Sequence, residues 1–185
     1  MEKVLLYFHD EKTIDAAISF FRNENIAFTI VNDTHLEDTI KNLLETNYTL
    51  KQSSTAFSFS FVFFANMKQD RVIEVINKMN QEKIQISHKA MLTKTNIDWN
   101  LHALLAEIEE EQAYMMSYQK LIALLKQANS MDETQYEEAS FTFYRNAFLK
   151  AYTIYKTKGV EKAKIDACIK EMEITFNILK RGYNS

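Results

Sequence analysis

Proline is absent from this 185-residue chain, and glycine occurs only twice, as Gly159 and Gly182. Loops that cradle phosphate need glycine where backbone must approach the ligand or turn through positive φ. Neither a G-x-G-x-x-G turn nor a Walker loop is present, which excludes dinucleotide and P-loop nucleotide sites of the usual kind. Cysteine occurs once, as Cys168, so no intramolecular disulfide and no multi-thiolate zinc site can form. Lysine and arginine never cluster into a dense run, and the net charge is −3. Phosphate backbones are gripped by clustered cations, so nucleic acid is not an expected partner. The richest apolar run, Phe57 to Met67, is far short of a bilayer span. The N-terminal run Val4 to Phe8 is too short for a secretory leader. These absences point to a cytoplasmic protein without a membrane partner.

What is present divides into a mixed first half and a helical second half. Lys3 to Phe8 reads as a buried strand, and Asp10 opens a helix with Ile14, Ala17, Ile18 and Phe21 on one face. Ile26 to Val31 reads as a second strand. Thr34 and Glu37 have capping-box spacing ahead of a short helix bearing Ile40, Leu43 and Leu44. Asn47 to Thr55 is polar without a period and reads as a loop. Phe57 to Ala65 reads as a central strand. Asn66 and Gln69 cap a helix with Val72, Val75, Ile76 and Met79 inward, and Ile84 to Ile86 with Lys89 to Thr93 supply the last strand.

The fold class is therefore α/β: a four-stranded sheet in β-α-β-α-β-α-β order, followed by an α-helical bundle. Two topologies fit. Right-handed crossovers throughout make the sheet parallel; reversal of the third strand makes it ferredoxin-like. The parallel form is favoured slightly, and both place the first and third strands centrally. No internal repeat is visible. The division expected is an α/β domain over 1–98 and a three-helix region over 99–185.

The joint is the stretch from Met91 to Gln127. Leu101, Leu104, Ile108, Glu111, Met115, Tyr118, Ile122 and Leu125 alternate at spacings of three and four, a heptad seam broken only by Glu111. Asn96 or Asp98 caps its start. An unpaired buried carboxylate is costly, so Glu111 marks where the helix passes from one domain to the next, with the seam in contact with solvent or a cation. Downstream, Ser130 and Glu133 have capping-box spacing. The next helix carries Tyr136, Phe143, Tyr144, Ala147, Phe148, Ala151, Tyr152 and Tyr155, a stripe that reads as core. Gly159 ends it, and Ile165, Cys168, Ile169, Met172, Phe176 and Leu179 mark the last helix.

Several of these residues resemble a bacterial family catalogued as a domain of unknown function (family 3783). They are Val4-Leu5-Leu6-Tyr7, Asp38-Thr39-Ile40 with Leu43-Leu44, Lys89-Ala90-Met91-Leu92-Thr93, Thr95-Asn96, Trp99 and Glu111-Gln112. The resemblance covers roughly residues 1 to 115 and makes the rest a helical extension. Such relatives often carry histidine where this chain has Gln112, and glycine where it has Lys41. The resemblance implies no activity.

No two of His9, His35, His88 and His102 share a helical i, i+3 or i, i+4 spacing, so no helical metal clip is written and no metal is expected. His9-Asp10-Glu11 forms a strand-to-helix corner at a sheet edge of the kind where open α/β sheets bind ligands, and it reads as a helix start. No nucleophile sits in a glycine elbow, so no catalytic residue and no cofactor is assigned and the reading leans away from an enzyme. The best ligand-binding candidates are Thr93, Thr95, Asn96 and Trp99, because hydroxyl and amide groups beside open backbone N–H can receive an anion. The favoured function is a non-catalytic interaction or assembly module, with a protein partner or a second copy on the helical region. The alternative is a small-molecule sensor or enzyme with a pocket near Thr93 to Trp99.

Overall fold

The computed structural model describes residues 1–9, 13–50 and 57–182. The helix start at Asp10 and most of the Asn47–Thr55 loop lie outside them. The chain forms two compact units, Met1–Ile108 and Glu109–Ser185. The first two turns of the long helix thus belong to the α/β unit, whose core they complete.

In the first unit the elements are β1 (Lys3–Tyr7), α1 (Ile14–Asn23), β2 (Ala27–Val31), α2 (Ile40–Glu45), β3 (Phe61–Ala65), α3 (Gln69–Gln81), β4 (His88–Met91) and the start of α4 (Leu101–Asn129). The strand order is β2-β1-β3-β4. β1 runs parallel to β2, and β3 parallel to β4, while β1 and β3 are antiparallel with Leu5 opposite Phe63. The sheet is therefore mixed. β3 reverses, as in the ferredoxin-like alternative, but each outer pair keeps the parallel geometry that a helical crossover imposes. The slightly favoured all-parallel sheet does not form. β1 and β3 are central, and Val4, Leu5, Leu6 and every residue of β3 are buried, because both faces of the sheet are covered. α1 and α3 pack on one face through Ala17, Phe20, Phe21, Val72, Val75 and Met79. α2 and the start of α4 pack on the other through Ile40, Leu43, Leu101, Leu104 and Leu105.

An internal repeat invisible in the residue types appears in the backbone. α1 ends with Asn25 at φ 56° and Ile26 N–H bonded to Phe21 O at 2.9 Å; α3 ends with Lys83 at φ 59° and Ile84 N–H bonded to Met79 O at 2.9 Å. Ile40 N–H donates to Trp99 O, and reciprocally Leu101 N–H donates to Asp38 O, both at 2.9 Å. Thr39 and Asn100 pair in an antiparallel bridge, and each caps its own helix, Thr39 Oγ1 accepting from Asn42 N and Asn100 Oδ1 from Ala103 N. The two β-α-β-turn-α halves are thus related by a local two-fold between β1 and β3.

Several caps differ from the sequence expectation. Asn32, not Thr34, caps the 3-10 turn Asp33–His35, and Thr39 caps α2. Lys68 occupies the N-cap of α3, while Asn66 takes φ 58°. Asn100 caps α4 in place of Asn96 or Asp98. Asp132 caps the turn Glu133–Gln135, while Ser130 donates to Gln127 O. Short polar side chains are interchangeable as caps, so spacing locates a helix start only to within a few residues.

In the second unit the remainder of α4 joins α5 (Glu138–Lys156) and α6 (Lys162–Asn177). Leu121, Leu125, Tyr144, Ala147, Ala151, Ile165, Ile169 and Met172 form the shared core. Gly159, at φ 68°, makes the α5–α6 turn in the left-handed conformation that glycine tolerates best. Among the described residues no helix is long and apolar enough to cross a membrane.

Candidate functional site

The Thr93–Trp99 turn follows β4. Asn96 is buried, its Oδ1 accepts from Thr93 N–H at 2.8 Å, and its Nδ2 donates to Met91 O at 2.9 Å. Asn96 N–H in turn donates to Thr93 Oγ1 at 3.1 Å. Trp99 is half-buried against the core under α2 and α4, and its carbonyl receives the Ile40 N–H. The structure brings Thr93 and Asn96 together but directs their polar groups at each other, leaving Thr95 exposed. Asn96→Ala is expected to lower stability by about 1–2 kcal/mol, because Thr93 N–H and Met91 O lose their partner. Urea unfolding checks this; a change below a few tenths would show the turn to be held otherwise.

A second polar cluster lies along the edge where β1 and β2 end and β3 and β4 begin. Tyr7 hydroxyl is hydrogen-bonded to Asp33 Oδ1 and accepts from Phe57 N–H at 3.2 Å. Burial, reinforced by the bond to the Asp33 carboxylate, pushes the Tyr7 phenol up to about 12. His9 N–H reaches Ser60 Oγ at 3.4 Å. The His35 ring packs on Tyr48, His88 on Phe59 and His102 on Phe57, with centroids 4.8, 4.4 and 5.5 Å apart. His35 Nδ1 accepts from Asn32 N–H at 3.2 Å, the position Asn96 Oδ1 takes in the other half. Burial lowers the His35 pKa, against the opposing field of Asp38. Only His9 is legible in the sequence at such an edge, as a strand-to-helix corner, whereas His102 comes to Phe57 through a contact distant in the chain. Among the described residues no three His, Cys, Asp or Glu groups are arranged to hold a metal ion.

The third feature is an apolar trough in the helical unit, of about 450 Å³. Its walls are Ile122, Leu125, Lys126 and Asn129 of α4 and Phe148, Leu149, Tyr152 and Tyr155 of α5. α5 turns Ser140, Tyr144, Ala147 and Ala151 inward, so its aromatic stripe is wider than the core it faces. Phe143 is 63% exposed, Leu149 53% and Tyr152 44%. The stripe is thus core only in part, which corrects the sequence reading for Phe143 and Tyr152. Tyr152 stacks on Phe148 and Tyr155 on Tyr118, at centroid distances of 6.0 Å each. Lys156 Nζ lies 5.3 and 5.5 Å from the Tyr152 and Tyr155 rings. The trough is therefore an apolar, aromatic-walled channel with cations at its rim.

Comparison with known proteins touches only part of this architecture. No curated protein and no solved structure matches the chain. The segments around Val4–Tyr7 and Asp38–Leu44 lie outside the matched stretch. Residues 60–115, spanning β3, α3, β4, the Thr93–Trp99 turn and the first half of α4, match the family model described as Domain of unknown function (DUF3783), the family that Lys89–Thr93, Thr95–Asn96, Trp99 and Glu111–Gln112 resemble.

Proposed function

We propose that this is a non-catalytic, cytoplasmic interaction or assembly module whose contact surface is the trough between α4 and α5. The observation that carries this reading is the open pair of walls, with Leu149 and Tyr152 about half exposed beside Ile122 and Phe148. Contiguous apolar surface rimmed by polar groups marks sites of protein contact. Tyrosine suits such a surface, since it buries large area with little loss of rotamer freedom. Val4 to Tyr7 form a central strand, and the lone Cys168 has no disulfide partner, in keeping with a reducing compartment. The competing reading, a small-molecule sensor or enzyme near Thr93 to Trp99, is weakened by the hydrogen bonds that Thr93 and Asn96 already make to each other.

The test is the double variant Leu149→Glu/Tyr152→Glu in the full-length chain. Assembly in the producing cells is followed by in-cell cross-linking and sedimentation. Both sites are exposed, so helicity by circular dichroism should be retained. A specific assembly present in wild type and lost in the variant supports the reading. Assembly that persists in the variant, or none in wild type, rejects it.

A further inference from the structure

We propose that the occupant of the trough is a second copy of this chain, with α4 pairing antiparallel to α4 of its partner. The inference rests on the trough being a contact surface and names what fills it. Its source is the stripe that continues the α4 wall of the trough toward the N-terminus. Glu111, Met115, Tyr118, Ile122 and Lys126 follow one another at spacings of three and four, so they share one helix face. Glu111, Met115 and Lys126 are exposed, with Met115 at 48%. Among the described residues neither Glu111 nor Lys126 makes an ion pair. Elsewhere in this unit such pairs are common: Lys120 binds Glu173 at 2.7 Å, and Lys150 binds Glu171 at 2.6 Å.

The stripe is complementary to its own reverse. With a two-fold axis passing between Tyr118 and Gln119, Glu111 of one copy meets Lys126 of the other, and Met115 meets Ile122. Both pairings occur twice, as an isologous contact requires. The paired stretch is roughly 22 Å of helix at about 1.5 Å per residue. Each Met115 would enter the other copy's trough between Ile122, Leu125 and Tyr152. Unbranched, polarizable methionine fits such irregular aromatic-walled gaps. The arrangement also accounts for a carboxylate in an otherwise apolar seam: Glu111 is the charge that sets antiparallel register, the role polar residues take in paired helices. A parallel pairing would place Glu111 against Glu111 and Lys126 against Lys126.

Sedimentation velocity on the full chain, from roughly micromolar to several hundred micromolar, reads the association. Wild type is expected to dimerise. Glu111→Lys alone and Lys126→Glu alone should each weaken the dimer roughly tenfold or more, since both cross-pairs become like-charged. An equimolar mixture of the two variants should dimerise as wild type does, because that heterodimer restores two opposite-charge pairs. The double variant Glu111→Lys/Lys126→Glu should also recover. A wild-type monomer at every concentration overturns the proposal, as does a dimer indifferent to the reversals or a mixture that fails to rescue. If these variants leave an assembly intact that Leu149→Glu/Tyr152→Glu abolishes, the trough is a docking surface for another protein and only the self-pairing falls.

Discussion

Replacing Phe63 with alanine is expected to lower the stability of the α/β unit by about 3–5 kcal/mol, the range for removing a buried aromatic ring. Phe63 is fully buried in the middle of β3, opposite Leu5 and near the local two-fold. Its ring sits in the cluster formed with Leu36, Ile40, Leu43 and Leu101, and lies 6.1 Å from the Phe61 ring. Sheet on one side and two helices on the other leave little room to collapse into the space. A typical domain has about 5–15 kcal/mol in total, so this single change removes a large fraction. Urea unfolding followed by fluorescence checks it, because the only tryptophan, Trp99, packs on the same cluster. Phe143→Ala serves as control: that ring is 63% exposed, and its loss should change stability by about 0.5 kcal/mol or less. A Phe63→Ala loss below about 1 kcal/mol would mean that the sheet does not carry the core assigned to it.

At high pH the wild-type protein is expected to lose about 2–3 kcal/mol through the ionisation of Tyr7 alone. Its phenol is held near 12 in the folded chain against an ordinary value of 10.0, so the folded state binds the proton more tightly than the unfolded state. The stabilisation is complete below pH 10 and is lost as pH rises from there through about 12. The cause is burial first, then the neighbouring Asp33 carboxylate, which would face a phenolate across a hydrogen bond. Tyr7→Phe should start less stable, because Phe57 N–H loses its acceptor. It should then fall less steeply over this range, by the equivalent of one proton. Chemical unfolding of both proteins at intervals across this range measures the slope. Parallel curves would show that Tyr7 ionises freely while folded.

Local chemistry wrote much of this protein into its residues. The strand at Val4–Tyr7, the fully apolar Phe61–Ala65, the helix with Val72, Val75 and Met79 inward and the glycine turn at 159 all follow from periodicity and backbone preference. Those depend on neighbours a few residues apart. The absence of glycine before residue 159 likewise argued, on composition alone, against glycine-built phosphate loops of the usual kind. The candidate turn was legible as a cluster, since Thr93 and Asn96 lie three residues apart. That their polar groups bond to each other was not, because spacing says nothing about which way a polar group points.

Tertiary structure alone decided the reversal of β3, the two-fold relation of the halves, the gathering of Tyr7, Asp33 and the histidines at one sheet edge, and the exposure of Leu149 and Tyr152. Each depends on contacts between segments distant in the chain. Hydrophobic burial is non-directional: it specifies that Phe148 and Tyr152 prefer company, and the number of helices available to cover them determines whether they find it.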